Sequence, residues 1–328
     1  MDVTRAPLRY RALASWARPP AGVTHRAVSD VAVDAQDRVY AYSRDNQAVF
    51  VYEPDGTFIR TWGEDRYPGR AHGISVDAHG CVYCVNDFDH TVRKFEPDGT
   101  LVMTLGTSRK PSDTGYDMRR RTQLEKNATI ARSGPPFHRP TKVAVAPTGD
   151  LYVTDGYGNA RVHHFSRDGT LVRSWGEPGS GPGQFMVPHG IALTADGRVL
   201  VADRDNKRIQ VFTLDGRYLA QWTGFSHPTG VFVHRSGRIY VSEIGWEFDS
   251  SAAAGDESVL PRRLSILDSA GTLLARWTSS DHGSLGRFTA PHGLCVDSRG
   301  DLYVASNDQR GRGSALQKFV MESPAAAV

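Results

Sequence analysis

Apolar and polar residues alternate along this chain in short runs, and the runs recur. The unit is a small residue or His, an apolar run ending near Asp, a glycine turn, a second apolar run, a polar loop, a third run, a tight turn and a fourth run. Copies begin at Ser29-Asp30-Val31-Ala32-Val33-Asp34, His72-Gly73-Ile74-Ser75-Val76-Asp77, Thr141-Lys142-Val143-Ala144-Val145, His189-Gly190-Ile191-Ala192-Leu193, Thr229-Gly230-Val231-Phe232-Val233 and His292-Gly293-Leu294-Cys295-Val296-Asp297. Runs this short, rich in Val, Ile and Tyr and bounded by Gly and Asp, predict strands. The second strands include Arg38-Val39-Tyr40, Cys81-Val82-Tyr83, Asp150-Leu151-Tyr152 and Asp301-Leu302-Tyr303. Asp-Gly follows the third strand at Asp55-Gly56, Asp98-Gly99, Asp168-Gly169 and Asp215-Gly216, with Ala270-Gly271 in the fifth copy. That dipeptide supplies the positive φ of a tight hairpin. Fourth strands end on Trp62, Leu105, Trp175, Trp222 and Trp277.

Six four-stranded units predict one all-β domain, a six-bladed β-propeller with blades at 28–63, 71–106, 139–176, 188–223, 227–277 and 291–320. Each unit alone has two bare faces and must stack on its neighbours. The sixth copy lacks a fourth strand after Gln317-Lys318-Phe319-Val320, whereas Tyr10-Arg11-Ala12-Leu13-Ala14-Ser15-Trp16 resembles Thr170-Leu171-Val172-Arg173-Ser174-Trp175. Residues 1–17 are therefore expected to complete the last blade, close the ring and remove an open edge. Insertions at 107–138, which carries Arg119-Arg120-Arg121, and at 246–261 interrupt the rhythm. Neither reads as a domain; each reads as a solvated loop or a lid over a site.

The residue at the mouth of the innermost strand is Ser29, His72, Thr141, His189, Thr229 and His292 in blade order. Innermost strands line the central channel, so histidines on alternate blades stand about 120° apart around one axis. Three imidazoles converging on a point, with a fourth position open, describe a catalytic zinc site, and another divalent transition metal would suit the same donors. The small hydroxyl residues between them leave room. His79, His90, His163, His164, His234 and His282 share no inner position and read as structural.

Composition narrows the partners. With 39 basic and 36 acidic side chains the net charge is +3, and no long basic stripe invites nucleic acid. No apolar run reaches the roughly 18 residues of a membrane span. Met1-Asp2-Val3-Thr4-Arg5 lacks the apolar stretch of a secretory signal, so a cytoplasmic location is expected. The three cysteines allow no disulfide framework. Cys81 and Cys84 have the spacing of a metal or redox pair, but strand alternation puts their sulfurs on opposite faces, and both read as core.

The loops joining second to third strands open on the face where the tripod sits. They carry Arg44 in Tyr42-Ser43-Arg44-Asp45-Asn46, Tyr157 in Asp155-Gly156-Tyr157-Gly158-Asn159 and Arg204 in Asp203-Arg204-Asp205-Asn206. Two guanidiniums suit a small substrate bearing a carboxylate, which arginine grips through parallel hydrogen bonds. A phenol beside a divalent cation suits a general base. Asn159 with Arg161, and Asn206 with Arg208, repeat as Asn-x-Arg and read as blade-structuring pairs.

On these segments the chain resembles NHL repeats, and from Phe137 to Asp215 it resembles the catalytic core of peptidyl-α-hydroxyglycine α-amidating lyase. Asp155-Gly156-Tyr157-Gly158-Asn159-Ala160-Arg161, Phe185-Met186-Val187-Pro188-His189 and Val201-Ala202-Asp203-Arg204-Asp205-Asn206-Lys207-Arg208 carry the likeness. The resemblance implies a six-bladed propeller, zinc on His72, His189 and His292, Tyr157 as catalytic tyrosine, and Arg44 and Arg204 as substrate-site arginines. It implies cleavage of a carbinolamide N–C bond to an amide and glyoxylate. It also implies a structural calcium on an Asp directly after the third zinc histidine. This chain has Gly293 there, which argues against calcium, although Asp30 holds the comparable place in blade one. Two readings compete: a metal-dependent hydrolase of the propeller lactonase type, which would use Glu, Asp and Asn ligands, and a non-catalytic NHL module binding RNA or protein through Arg119-Arg120-Arg121.

Overall fold

A computed structural model describes residues 8–63, 70–245, 261–279, 286, 288–308 and 314–322. His282 and most of the 246–261 insertion lie outside them. After a first strand, β1 (Arg9–Leu13), blade one runs β2 (Val28–Val33), β3 (Val39–Ser43), β4 (Ala48–Tyr52) and β5 (Phe58–Trp62). Blade two is β6 (Ala71–Val76), β7 (Val82–Asn86), β8 (Thr91–Phe95) and β9 (Leu101–Leu105), followed by the short helix α1 (Gln123–Asn127). Blade three is β10 (Lys142–Val145), β11 (Leu151–Asp155), β12 (Arg161–Phe165) and β13 (Leu171–Trp175). Blade four is β14 (Pro188–Leu193), β15 (Arg198–Asp203), β16 (Arg208–Thr213) and β17 (Tyr218–Trp222). Blade five is β18 (Pro228–Val233), β19 (Ile239–Glu243), β20 (Arg262–Leu267) and β21 (Leu273–Ser279). Blade six is β22 (Pro291–Val296), β23 (Leu302–Ser306) and β24 (Leu316–Glu322), with β1 as its outer strand. Each blade is a four-stranded antiparallel sheet.

The repeat is explained by what its residues touch. The Asp closing an inner strand caps the following turn and takes the phenol of the next strand's Tyr: Tyr40 donates to Asp34 at 3.1 Å, Tyr83 to Asp77 at 3.0 Å and Tyr303 to Asp297 at 3.1 Å. The Trp ending a fourth strand lies against the turn glycine of the next blade. A Cβ at Gly216 would come within 2.7 Å of the Trp175 ring, and one at Gly271 within 2.3 Å of Trp222. Both glycines also hold φ above +80°, so two independent constraints fix the residue.

The core is divided among the seams. Each apolar cluster draws on two adjacent blades, as where Tyr42, Val49 and Val51 meet Ile74, Val82 and Cys84. Cys81 packs into the next cluster with Val143 and Phe165, so the two cysteines do face opposite sides of their sheet. Blades six and one meet around Trp16, whose ring lies 5.0 Å from that of Tyr303 and whose Nε1 donates to the Pro54 carbonyl at 3.0 Å. The strand before it stops at Leu13 rather than running to Trp16. Ser15 takes φ +49°, and this turn carries the indole into the seam.

At the channel mouth the ladder is deliberately irregular. In blade four Pro188 pairs with Asp203 but Gly190 with Ala202, leaving His189 as a bulge. Ser29, His72, Thr229 and His292 sit in the same kind of register break. A bulge re-aims its side chain, here into the channel rather than into a seam.

Candidate functional site

The bulges bring His72, His189 and His292 together. Their ring centroids lie 4.7 to 4.9 Å apart, and one ring nitrogen from each falls within 4.8 Å of the other two. Each Nδ1 is spoken for by the next blade: His72 donates to the Thr141 carbonyl at 2.7 Å, His189 to Thr229 at 2.8 Å and His292 to Ser29 at 2.5 Å. That fixes the tautomer and turns three Nε2 lone pairs inward. Burial pushes all three pKa values well below 6.5, with neighbouring imidazoles adding to it at His72 and His189 and nearby arginines at all three, so the rings are neutral near pH 7.

The hydroxyl residues between them therefore do more than leave room. Thr141 accepts from His72 through its carbonyl, and its Oγ1 donates at 2.9 Å to the carbonyl of Pro188, the residue before His189. Thr229 repeats the pattern between His189 and Pro291, its Oγ1 donating at 3.0 Å. Three neutral, buried imidazoles fit zinc or a similar transition metal. Calcium is different. It takes six to eight oxygens, several from carboxylates. Asp30 alone is acidic among the residues lining the channel cavity beneath the tripod, and it is bonded to the Lys142 ammonium. The residues do not fit calcium.

Tyr157 reaches the tripod from blade three. Its Oη stands 3.1 Å from Nε2 of His72 and 3.1 Å from Nε2 of His189. Insertion 107–138 holds the loop that carries it: Gln123 donates to the Tyr157 carbonyl at 3.2 Å and Thr114 Oγ1 to the Gly158 carbonyl at 2.7 Å. Gly158 is required, because a Cβ would lie 2.4 Å from the His138 ring.

The structure divides the two expected arginines. Arg204 is committed. It grips Asp205 from Nε at 2.7 Å and donates from Nη1 to Tyr157 Oη at 3.4 Å. Burial lowers its pKa, but Asp205 and Tyr157 outweigh burial and hold it above the usual arginine value. Among the described residues Arg44 is anchored by one bond, Nε to the Ala71 carbonyl at 3.0 Å, and its buried Nη2 has no partner. Burial and the Arg70 guanidinium push its pKa down to about 10.

Sequence reasoning missed Arg70, Asp87 and Arg139. Arg139 lies with its Cζ 4.6 Å over the Tyr157 ring and donates to Asp87 at 2.8 Å; Arg70 holds the same carboxylate. Burial raises the Asp87 pKa, but the guanidiniums of Arg70, Arg139 and Arg44 outweigh it and hold the carboxyl well below the usual range. Repeat register was the available signal. Asp87 occupies in blade two the place of Arg44 and Arg204, and Arg70 and Arg139 each stand two residues before the channel residue. Four guanidiniums thus surround Tyr157 against the carboxylates of Asp87 and Asp205, leaving the mouth positive.

Arg119, on the exposed face of the insertion, is paired to Asp117. Asn159 and Arg208 tie loop to blade: Asn159 donates to the Gly134 carbonyl at 2.9 Å, and Arg208 to Asp203 at 2.9 Å.

Comparison with known proteins agrees with this architecture. The NHL repeat family matches residues 137–165 and 185–212. The chain is a six-bladed β-propeller that carries NHL repeats in its third and fourth blades. NHL repeat-containing protein 3 of Homo sapiens is 46% identical to this propeller over 89 residues, 26% of this chain and 26% of that protein. Peptidyl-alpha-hydroxyglycine alpha-amidating lyase 1 of Drosophila melanogaster is 39% identical over 100 residues, 27% of this chain and 18% of that protein. The matched part thus spans about a quarter or less of these relatives' own length. A solved streptogramin B lyase superposes on the propeller with a TM-score of 0.59 at 12% identity, covering 96% of this chain and 98% of that chain, a likeness of fold. The lyase relative supports the resemblance carried by the blade motifs.

Proposed function

We propose that this propeller is a metal-dependent lyase of the amidating-lyase type, cleaving the N–C bond of a small carbinolamide that bears a carboxylate. The observation that carries the reading is the 3.1 Å approach of Tyr157 Oη to Nε2 of both His72 and His189, which puts a proton-transfer group beside the open side of a His tripod. A zinc or similar ion on His72, His189 and His292 would supply Lewis-acid polarisation of the substrate hydroxyl.

The chain's own residues do the rest. Tyr157, entering the step as its phenolate, takes the hydroxyl proton at Oη. The hydroxyl oxygen becomes the aldehyde carbonyl as the C–N bond breaks, and the electron pair leaves with nitrogen. Tyr157 returns the proton to that nitrogen, giving an amide and glyoxylate. Arg204, donating to Oη, stabilises the phenolate with which the step begins and ends. Arg44, whose buried Nη2 has no partner among the described residues, holds the carboxylate. An all-imidazole tripod does not supply the Glu, Asp and Asn ligands of a lactonase-type hydrolase.

The test is glyoxylate release from an N-acyl-α-hydroxyglycine by the metal-loaded protein, with Tyr157→Phe alongside. Tyr157→Phe should keep its metal and lose roughly a hundred- to ten-thousand-fold in kcat. A variant with normal metal and wild-type turnover removes Tyr157 from the chemistry.

A further inference from the structure

The channel beneath the tripod has no place for calcium, and the reason is a cation the chain brings itself. Lys142 opens β10, the inner strand of blade three. Its side chain passes blade two and ends on blade one, where Nζ bonds the carboxylate of Asp30, 112 residues away in sequence. Nζ also donates to the Ile74 carbonyl of blade two at 2.7 Å. The Ile74 N–H in turn donates to Asp30 Oδ2 at 2.8 Å, and Val31 N–H to Oδ1 at 2.9 Å. Carboxylate, peptide and ammonium form a closed triangle spanning three inner strands. The side chains of Asp30 and Lys142 are only 4% and 18% exposed.

Two glycines make the triangle possible. A Cβ at Gly293 would fall 1.9 Å from Asp30 Oδ1, and one at Gly73 would meet the Lys142 stem at 3.1 Å. Both directly follow tripod histidines. Asp30 and Lys142 in turn directly follow Ser29 and Thr141, whose carbonyls orient His292 and His72.

We propose that the Lys142 ammonium is the resident cation of the channel, neutralising the Asp30 carboxylate in place of any metal ion and tying blades one to three beneath the tripod. One carboxylate and one carbonyl are too few for a calcium ion, and a lysine that supplies the charge covalently makes the site independent of ion supply. The inference stands apart from the lyase reading, since it concerns ion content and stability alone.

Three proteins test it: the wild type, Lys142→Met, which keeps the stem and drops the charge, and Lys142→Ala, which opens the site. Calcium is titrated to millimolar concentration while melting and elemental content are followed. The wild type should contain no calcium and melt at the same temperature throughout. Lys142→Met should melt several degrees lower with or without calcium, because Asp30 is left buried and unpaired. Lys142→Ala should also melt lower and gain nothing from calcium, since one carboxylate is too few to hold it. Stoichiometric calcium in the wild type, wild-type melting in Lys142→Met, or a Lys142→Ala protein rescued by calcium would each overturn the proposal. If Lys142→Ala fails to fold, the wild-type and Lys142→Met measurements still decide it.

Discussion

His72 donates its Nδ1 proton to the carbonyl of Thr141 on the next blade, 2.7 Å away, and so presents Nε2 to the channel. The orientation of one ligand is set by the backbone of a blade that carries no ligand. His189→Ala should therefore remove most tightly held metal, measured by elemental analysis after dialysis. Thr141→Val keeps the carbonyl but loses the Oγ1 bonds to Pro188 and Thr154. It should weaken metal binding by about 10- to 100-fold, the usual cost of disturbing a ligand's support. Full metal retention by His189→Ala would refute the tripod.

Arg44 and Arg204 should fail differently. Losing charged hydrogen bonds to a substrate costs about 1.5–3 kcal/mol. Arg44→Met should accordingly raise KM for carboxylate substrates by about 10- to 100-fold and spare their amides. Arg204→Met should act on kcat, since Arg204 bonds Tyr157 and Asp205. Steady-state kinetics on a paired acid and amide separates the roles; identical profiles for the two variants would count against the division.

Acid should loosen blade two where it meets blade three. Burial, then the His138 ring, lowers the His90 pKa to about 4, and Nδ1 accepts from the Arg139 N–H at 3.1 Å. Between pH 6.5 and 4 the unfolded chain binds a proton at this site that the folded chain does not. Stability present above pH 6.5 is therefore lost as pH falls toward 4. His90→Asn offers an acceptor and suits the φ of +58° at this position. Denaturant melts of that variant should show a flatter profile through this window, and an unchanged slope would exonerate His90.

The seam between blades six and one depends on Trp16, which is 6% exposed. Trp16→Ala should cost about 3–5 kcal/mol, as for other buried aromatic truncations. Deleting residues 1–17 should cost more, because five register pairs from Arg9–Glu322 to Leu13–Lys318 go with it. A deletion that melts like the full chain would show that the outer strand is dispensable.

Much of this was legible because repetition exposes departures from itself. Histidine at alternate blade mouths stood out against Ser29, Thr141 and Thr229, and Asp-Gly after third strands marked the hairpins. Arg139 was not legible by composition. Its backbone takes φ +68° and its guanidinium lies over Tyr157, and such long side chains are placed by tertiary packing. The role of Thr141 was hidden for another reason: its contribution to His72 is made by a backbone carbonyl, which carries no residue signature. Lys142 looked like an ordinary strand opening because nothing in the sequence says that its amine ends two blades away.

The three histidines come from alternate blades, so no two neighbours in the ring hold two of them. A fragment ending before blade six carries at most two, and a ring splayed at one seam spreads all three. Coordination by the full set is thus a signal of circular integrity. A nascent chain cannot assemble the set until the last blade has been made, and on the proposed metal reading a nicked or partly opened propeller would announce itself first by losing its ion.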